Sequence, residues 1–193
     1  MDARTAIVPG SIADLAGRNG TGIAESILNA EVVILVDVSG SMNTRDARGS
    51  QRRYDVACQE LARLQQQMPG KIVIVAFSDH AEFVPGGVPP LIGGNTNLAG
   101  ALEYVQYLDR LMRFIVISDG QPDNEERALV VARRFASTID VVYVGPEDDA
   151  FGGRKFLERL ATDARGKFII ADRAHELADK VGRLLLAEVC SEN

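Results

Sequence analysis

Asp37, Ser39 and Ser41 stand on alternate residues where an aliphatic run, Val32 to Val36, gives way to a turn. Five aliphatic residues in succession read as a strand buried on both faces of a parallel sheet. In open α/β sheets, ligands bind beyond the carboxyl ends of the strands. Asp-x-Ser-x-Ser at that place offers three hard oxygens to one point, the donor type that Mg²⁺ or Mn²⁺ prefers. The same residues suit a capping turn, with Ser39 or Ser41 opening the next helix, so this motif alone leaves metal binding and helix capping both open.

Two later stretches bear on the choice. Gly93-Gly94-Asn95-Thr96-Asn97-Leu98 leads into a helical pattern, and Phe114-Ile115-Val116-Ile117-Ser118-Asp119-Gly120 ends a second aliphatic run on an aspartate. Together the three segments resemble the metal-ion-dependent adhesion site of the von Willebrand factor A (VWA) family. That pattern is Asp-x-Ser-x-Ser, a Thr in a glycine-rich loop, and an Asp in an Asp-Gly turn. The matching positions are Asp37, Ser39, Ser41, Thr96 and Asp119, in that order, and the resemblance spans residues 31 to roughly 187.

The resemblance implies that the hydroxyls of Ser39, Ser41 and Thr96 coordinate the metal directly. Asp37 and Asp119 then act from behind, through water or hydrogen bonds. Neutral hydroxyls leave most of the cation's charge uncompensated toward the open side, where an incoming carboxylate is favoured. Carboxylates in the next layer still hold the cation and orient its waters. The implied function is a non-enzymatic, metal-dependent protein-binding module whose Mg²⁺ or Mn²⁺ is completed by an Asp or Glu of a partner protein. Proteins of this kind and size resemble adaptors that work within larger assemblies. The polar stretch Asn43–Ser50 separates the first motif from its helix and is longer than the family pattern; shaping partner choice and plain solvation are both open readings of it.

These residues need elements to carry them, and the sequence supplies a regular alternation from Glu31 onward. Strands are expected at 32–37, 71–77, 113–118, 139–144 and 166–170, with a short edge strand at 81–84 ended by Pro85-Gly86-Gly87. Helices are expected near 51–67, 97–109, 124–137, 153–162 and 173–188, the first stopped by Pro69-Gly70. Strands alternating with helices imply a doubly wound, mostly parallel central sheet flanked by helices, with 81–84 as one short antiparallel edge strand. Residues 1–30 stand outside this pattern and are read as an N-terminal helical extension, leaving 31–193 as the main domain. Ser11–Ala16 and Gly22–Leu28 are expected to pack as a helical pair, because Ile12, Leu15, Ile23, Ile27 and Leu28 need apolar surroundings.

Composition agrees with one ordinary α/β domain: 193 residues, 46% hydrophobic and 25% charged. A chain of this length buries roughly 70% of its unfolded surface and needs no disulfide to fold. A net charge of −6 argues against nucleic acid as the main partner. Arg52-Arg53 and Arg133-Arg134 are isolated pairs that read as solvated helix faces. Cys58 and Cys190 read as free thiols of a reducing compartment, and no stretch reads as a signal peptide or membrane span, so a cytoplasmic location is expected.

Other candidates carry less. Glu147-Asp148-Asp149 reads as a solvated turn, and His80 and His175 lack zinc spacing. The alternative function is a Mg²⁺-dependent phosphatase or hydrolase using Asp37 or Asp119. It lacks a companion Lys or Arg evident from the motifs, and a second aspartate two residues after Asp37.

Overall fold

The computed structural model describes residues 7–47, 50–120, 122–146 and 152–170. The helix expected at 173–188, the acidic run Glu147–Asp149, His175 and Cys190 lie outside the described residues. Helices α1 (Ile12–Asn19) and α2 (Ile23–Ile27) precede strand β1 (Val32–Asp37). Helix α3 (Arg53–Gln67) leads to β2 (Ile72–Phe77) and the short β3 (Ala81–Phe83). Then come α4 (Leu98–Val105), β4 (Arg113–Ser118), α5 (Glu125–Ala132), β5 (Ile139–Tyr143), α6 (Gly153–Asp163) and β6 (Phe168–Ile170).

The strands form one sheet in the order β3-β2-β1-β4-β5-β6, parallel except for β3. The aliphatic runs of the sequence are its centre: Ile34 lies level with Ile74 on one side and Ile115 on the other. Alternate residues feed two cores. Val33, Leu35, Val75 and Val116 pack with the apolar faces of α4, α5 and α6. Val32, Ile34, Val36, Ile74 and Ile117 pack with Val56, Leu61 and Leu64 of α3. Each such side chain, fully buried, contributes about 1.5–3 kcal/mol, so the sheet centre is a stiff platform for whatever its carboxyl edge carries.

Caps set the helix starts. Ser11 Oγ accepts from Asp14 N at 3.2 Å while Asp14 Oδ2 accepts from Gly10 N at 2.8 Å, a reciprocal cap on α1. Asn97 and Asn124 cap α4 and α5 by accepting from Gly100 N and Arg127 N.

The structure corrects three expectations. The helix expected at 97–109 is α-helical only to Val105 and closes with a 3₁₀ turn at Gln106–Leu108. The one expected at 124–137 stops at Ala132, because the chain turns to send Phe135 into the core, edge-on to Phe114 at 4.9 Å. Of the five apolar residues in the N-terminal extension, Ile12 is buried and Ile27 packs on the core, but Ile23 and Leu28 remain 41% and 83% exposed. Helix α2 has only five residues and presents one side inward. The extension is anchored nonetheless, with Val8 N and Ala13 N donating to Gly86 O and Pro85 O.

Candidate metal centre

The carboxyl ends of β1 and β4, adjacent at the middle of the sheet, are joined through Asp37. Its side chain is fully buried; Oδ1 accepts from Ser39 N at 2.9 Å and Oδ2 from Ser118 Oγ at 2.7 Å. Ser118 Oγ in turn accepts from Gly120 N at 3.0 Å, so one hydroxyl ties the first motif to the Asp-Gly turn. After Asp37 the chain enters a 3₁₀ turn at Gly40–Asn43. Ser39 occupies its capping position, yet its side chain makes no capping hydrogen bond. Ser39 Oγ instead lies 3.1 Å from Ser41 Oγ, two hydroxyls side by side at the strand end.

Thr96 is delivered by a strapped loop. Gly93 N donates to Val38 O at 2.9 Å and Gly40 N to Gly94 O at 3.1 Å, which fastens the glycine pair against the first motif. Gly94 has φ +85°, and a Cβ there would fall 2.2 Å from Asp79 Oδ2, so a side chain fits neither the backbone nor the space. Thr96 itself is buried; its N–H donates to Asp123 Oδ1 at 2.9 Å and its carbonyl accepts from Asp123 N at 3.0 Å. Asp123 escaped the sequence reading, since an exposed acid after Asp-Gly-x-Pro carries no distinctive signal.

Asp119 holds the most informative geometry. Arg53 Nη1 donates to its Oδ2 at 2.6 Å, and both side chains are almost wholly buried. Asp119 Oδ1 is buried with no hydrogen-bond partner among the described residues. Arg53 also forks onto Asp46, Nε to Oδ1 at 2.7 Å and Nη2 to Oδ2 at 2.6 Å. This corrects the reading of Arg53 as part of a solvated helix face: it is 2% exposed and points into the site. Its neighbour Arg52 does face outward, pairing with Asp55. Nothing within one helix could reveal this, because the buried partner lies 66 residues away.

The charges are tightly coupled. Burial, and then the charge of Asp119, push the Asp37 carboxyl up from 3.8 to about 6, against hydrogen bonds from Ser39 and Ser118 that pull it down. Burial opposes the charge of Arg53, but its two carboxylates outweigh that and hold it above the usual guanidinium range. Two buried carboxylates at a strand end, one with an oxygen left unbonded, and two adjacent hydroxyls are a donor set that fits a hard divalent cation. Among the described residues no group of three or more His, Cys, Asp or Glu is placed to hold a metal ion.

The turn after Asp119 is pressed against α6. Gly120 has φ +82°, and a Cβ on it would lie 2.2 Å from Gly153 O; one on Gly153 would lie 2.2 Å from Asp119 O. Gly120→Ala is therefore expected to destabilise the protein by more than about 1 kcal/mol, read as a lower urea midpoint. An unchanged midpoint would mean that α6 can retreat without cost.

The fold is shared with solved proteins of low sequence identity. An aerotolerance-related membrane protein from Bacteroides fragilis, solved with multiple mutations to serines, superposes with TM-score 0.63 at 17% identity, over 80% of this chain and 97% of that one. The von Willebrand factor domain of the type V pili tip protein Mfa5 from Porphyromonas gingivalis gives 0.57 at 11% identity, over 83% and 96%. The manganese-loaded TRAP protein of Plasmodium vivax gives 0.53 at 16% identity, over 76% and 70%. The fold is that of a VWA domain. No protein-family model matches the sequence, and no curated protein matches it. At these identities the likeness concerns the fold, and the chemistry of the VWA-like edge rests on the residues themselves.

Proposed function

We propose that this VWA-fold protein is a metal-dependent protein-binding module. Ser39, Ser41 and Thr96 present hydroxyls to Mg²⁺ or Mn²⁺, and Asp37 and Asp119 support them from behind. The observation that carries the reading is Asp119: Arg53 fixes one oxygen and leaves the other buried and unbonded among the described residues, with the carboxylate near enough to Asp37 for its charge to be felt there. The bound cation supplies an electrophilic point for an Asp or Glu carboxylate of a partner. A cavity of about 250 Å³, walled by Thr96, Asn97, Asp123, Asn124 and Arg127, gives a partner chain room on the Thr96 side of the site. The pili-tip and manganese-loaded neighbours are in keeping with this use of the fold, as is a place within a larger assembly.

The hydrolase alternative gains a cation near Asp119 but not a usable one. Arg53 already makes three hydrogen bonds to two carboxylates and is buried, so it does not reach toward a phosphate. Thr96→Ala tests the favoured reading. It is expected to weaken Mn²⁺ binding by about tenfold or more, the scale seen when a metal's supporting groups are removed, with the circular dichroism unchanged. A partner captured from host extract in Mg²⁺ should be lost both in EDTA and with Thr96→Ala. Capture indifferent to both would place partner binding on another surface.

A further inference from the structure

We propose that Asp46 is a working part of the metal centre, acting on Asp119 through Arg53; the inference rests on the metal reading above. Asp46 belongs to the polar stretch between the first motif and α3, and its side chain is about one-third exposed at 32%. Two donors of Arg53, Nε and Nη2, are fixed on Asp46. Nη1 is the nitrogen that meets Asp119, and it takes Oδ2 alone. The fork thus sets the angle at which the guanidinium meets Asp119 and keeps it off Oδ1.

Charge gives the arrangement its sense. Asp37, Asp46 and Asp119 against Arg53 leave a net of two negative charges, which one divalent cation neutralises. Without Asp46, Arg53 would be left to Asp119 alone, and a cation would meet a formal net of one negative charge instead of two. A cation beside Asp119 also repels the guanidinium and drives it toward Asp46. Asp46 is held in place by backbone contacts of its own neighbours, Arg53 N to Thr44 O at 3.1 Å and the bridge between Ala47 and Gln51. Metal binding should therefore firm the segment 44–47, and by reciprocity whatever grips that segment should tighten the metal.

The test uses the full chain, with Mn²⁺ binding by calorimetry and amide exchange over 44–47 with and without Mn²⁺. Asp46→Asn is expected to weaken Mn²⁺ binding by about tenfold, within the usual range of coupling between linked sites, and to abolish the metal-dependent protection of 44–47. Asp46→Glu, which keeps the charge, should restore most of the affinity. Asp55→Asn removes the same charge from the neighbouring surface pair with Arg52 and should change nothing. Equal affinity of Asp46→Asn and wild type overturns this proposal and leaves the metal reading standing, as does an equal loss with Asp55→Asn. A wild-type chain that binds no Mn²⁺ overturns both.

Discussion

Asp37→Asn is expected to cost the protein its divalent-cation binding and, at pH 7, to make the metal-free chain more stable. The first half follows from the proposed metal reading, in which one of two supporting carboxylates is removed, and a loss of about a hundredfold or more is expected. The second half follows from where Asp37 sits. Its carboxyl titrates near 6 when folded and near 3.8 otherwise. Between those values the folded chain binds a proton that the unfolded chain has released, so metal-free stability falls as pH rises from about 4 to about 6. At pH 7 the ionised, buried group costs on the order of 3 kcal/mol. An amide keeps the shape and can still accept from Ser39 N, so a gain of about 2 kcal/mol in EDTA is expected, measured by urea unfolding. The wild type should reverse this trend in metal, because a bound cation favours the carboxylate. Its Mn²⁺ affinity should fall by about tenfold per pH unit below pH 6. A destabilised Asp37→Asn in EDTA would mean that the bonds to Ser39 and Ser118 outweigh the burial of charge.

Arg53→Met is expected to destabilise the protein by about 3–5 kcal/mol, the usual result of stripping one partner from a buried ion pair. Methionine fills much of the volume, so the loss is chiefly electrostatic. Asp46 can turn toward water, whereas Asp119 has a fully buried side chain and no other described partner on either oxygen. Adding Asp119→Asn to Arg53→Met should therefore recover a large part of the loss, a departure from additivity that a double-mutant cycle measures directly. Additive losses would show that Arg53 matters for packing α3 and not for Asp119.

What was legible in the sequence follows from how far each signal reaches. Strands β1, β2 and β4 are buried on both faces and show as unbroken aliphatic runs. Strand β3 shows through the Pro-Gly-Gly that ends it. The five residues proposed as ligands stand in three short motifs, each at a strand end or helix start; the structure places Asp37 and Asp119 within reach of each other's charge, sets the two serine hydroxyls side by side and straps the Thr96 loop to the first motif. Arg53 was not legible. An arginine pair at a helix start looks like solvent-facing charge until β4 is folded beside it and Asp119 arrives. Phe135 was missed for a related reason: helical periodicity runs on through it, and only the ring of Phe114 explains why the helix ends early. Ile23 and Leu28 mark the opposite failure, apolar residues for which the described fold provides no cover.

Strand β1 is early in the chain yet central in the sheet, and that ordering has a consequence for synthesis. Its two neighbours, β2 and β4, lie roughly 40 and roughly 80 residues downstream. A nascent chain that has released β1, α3 and β2 can cover only one edge of β1; the other stays open and adhesive until residue 118 emerges. The Arg53–Asp119 contact forms across that last-filled edge. It is thus a register of completed folding: a chain arrested before β4 has Asp46 to pair with Arg53 but lacks Asp119, the buried partner.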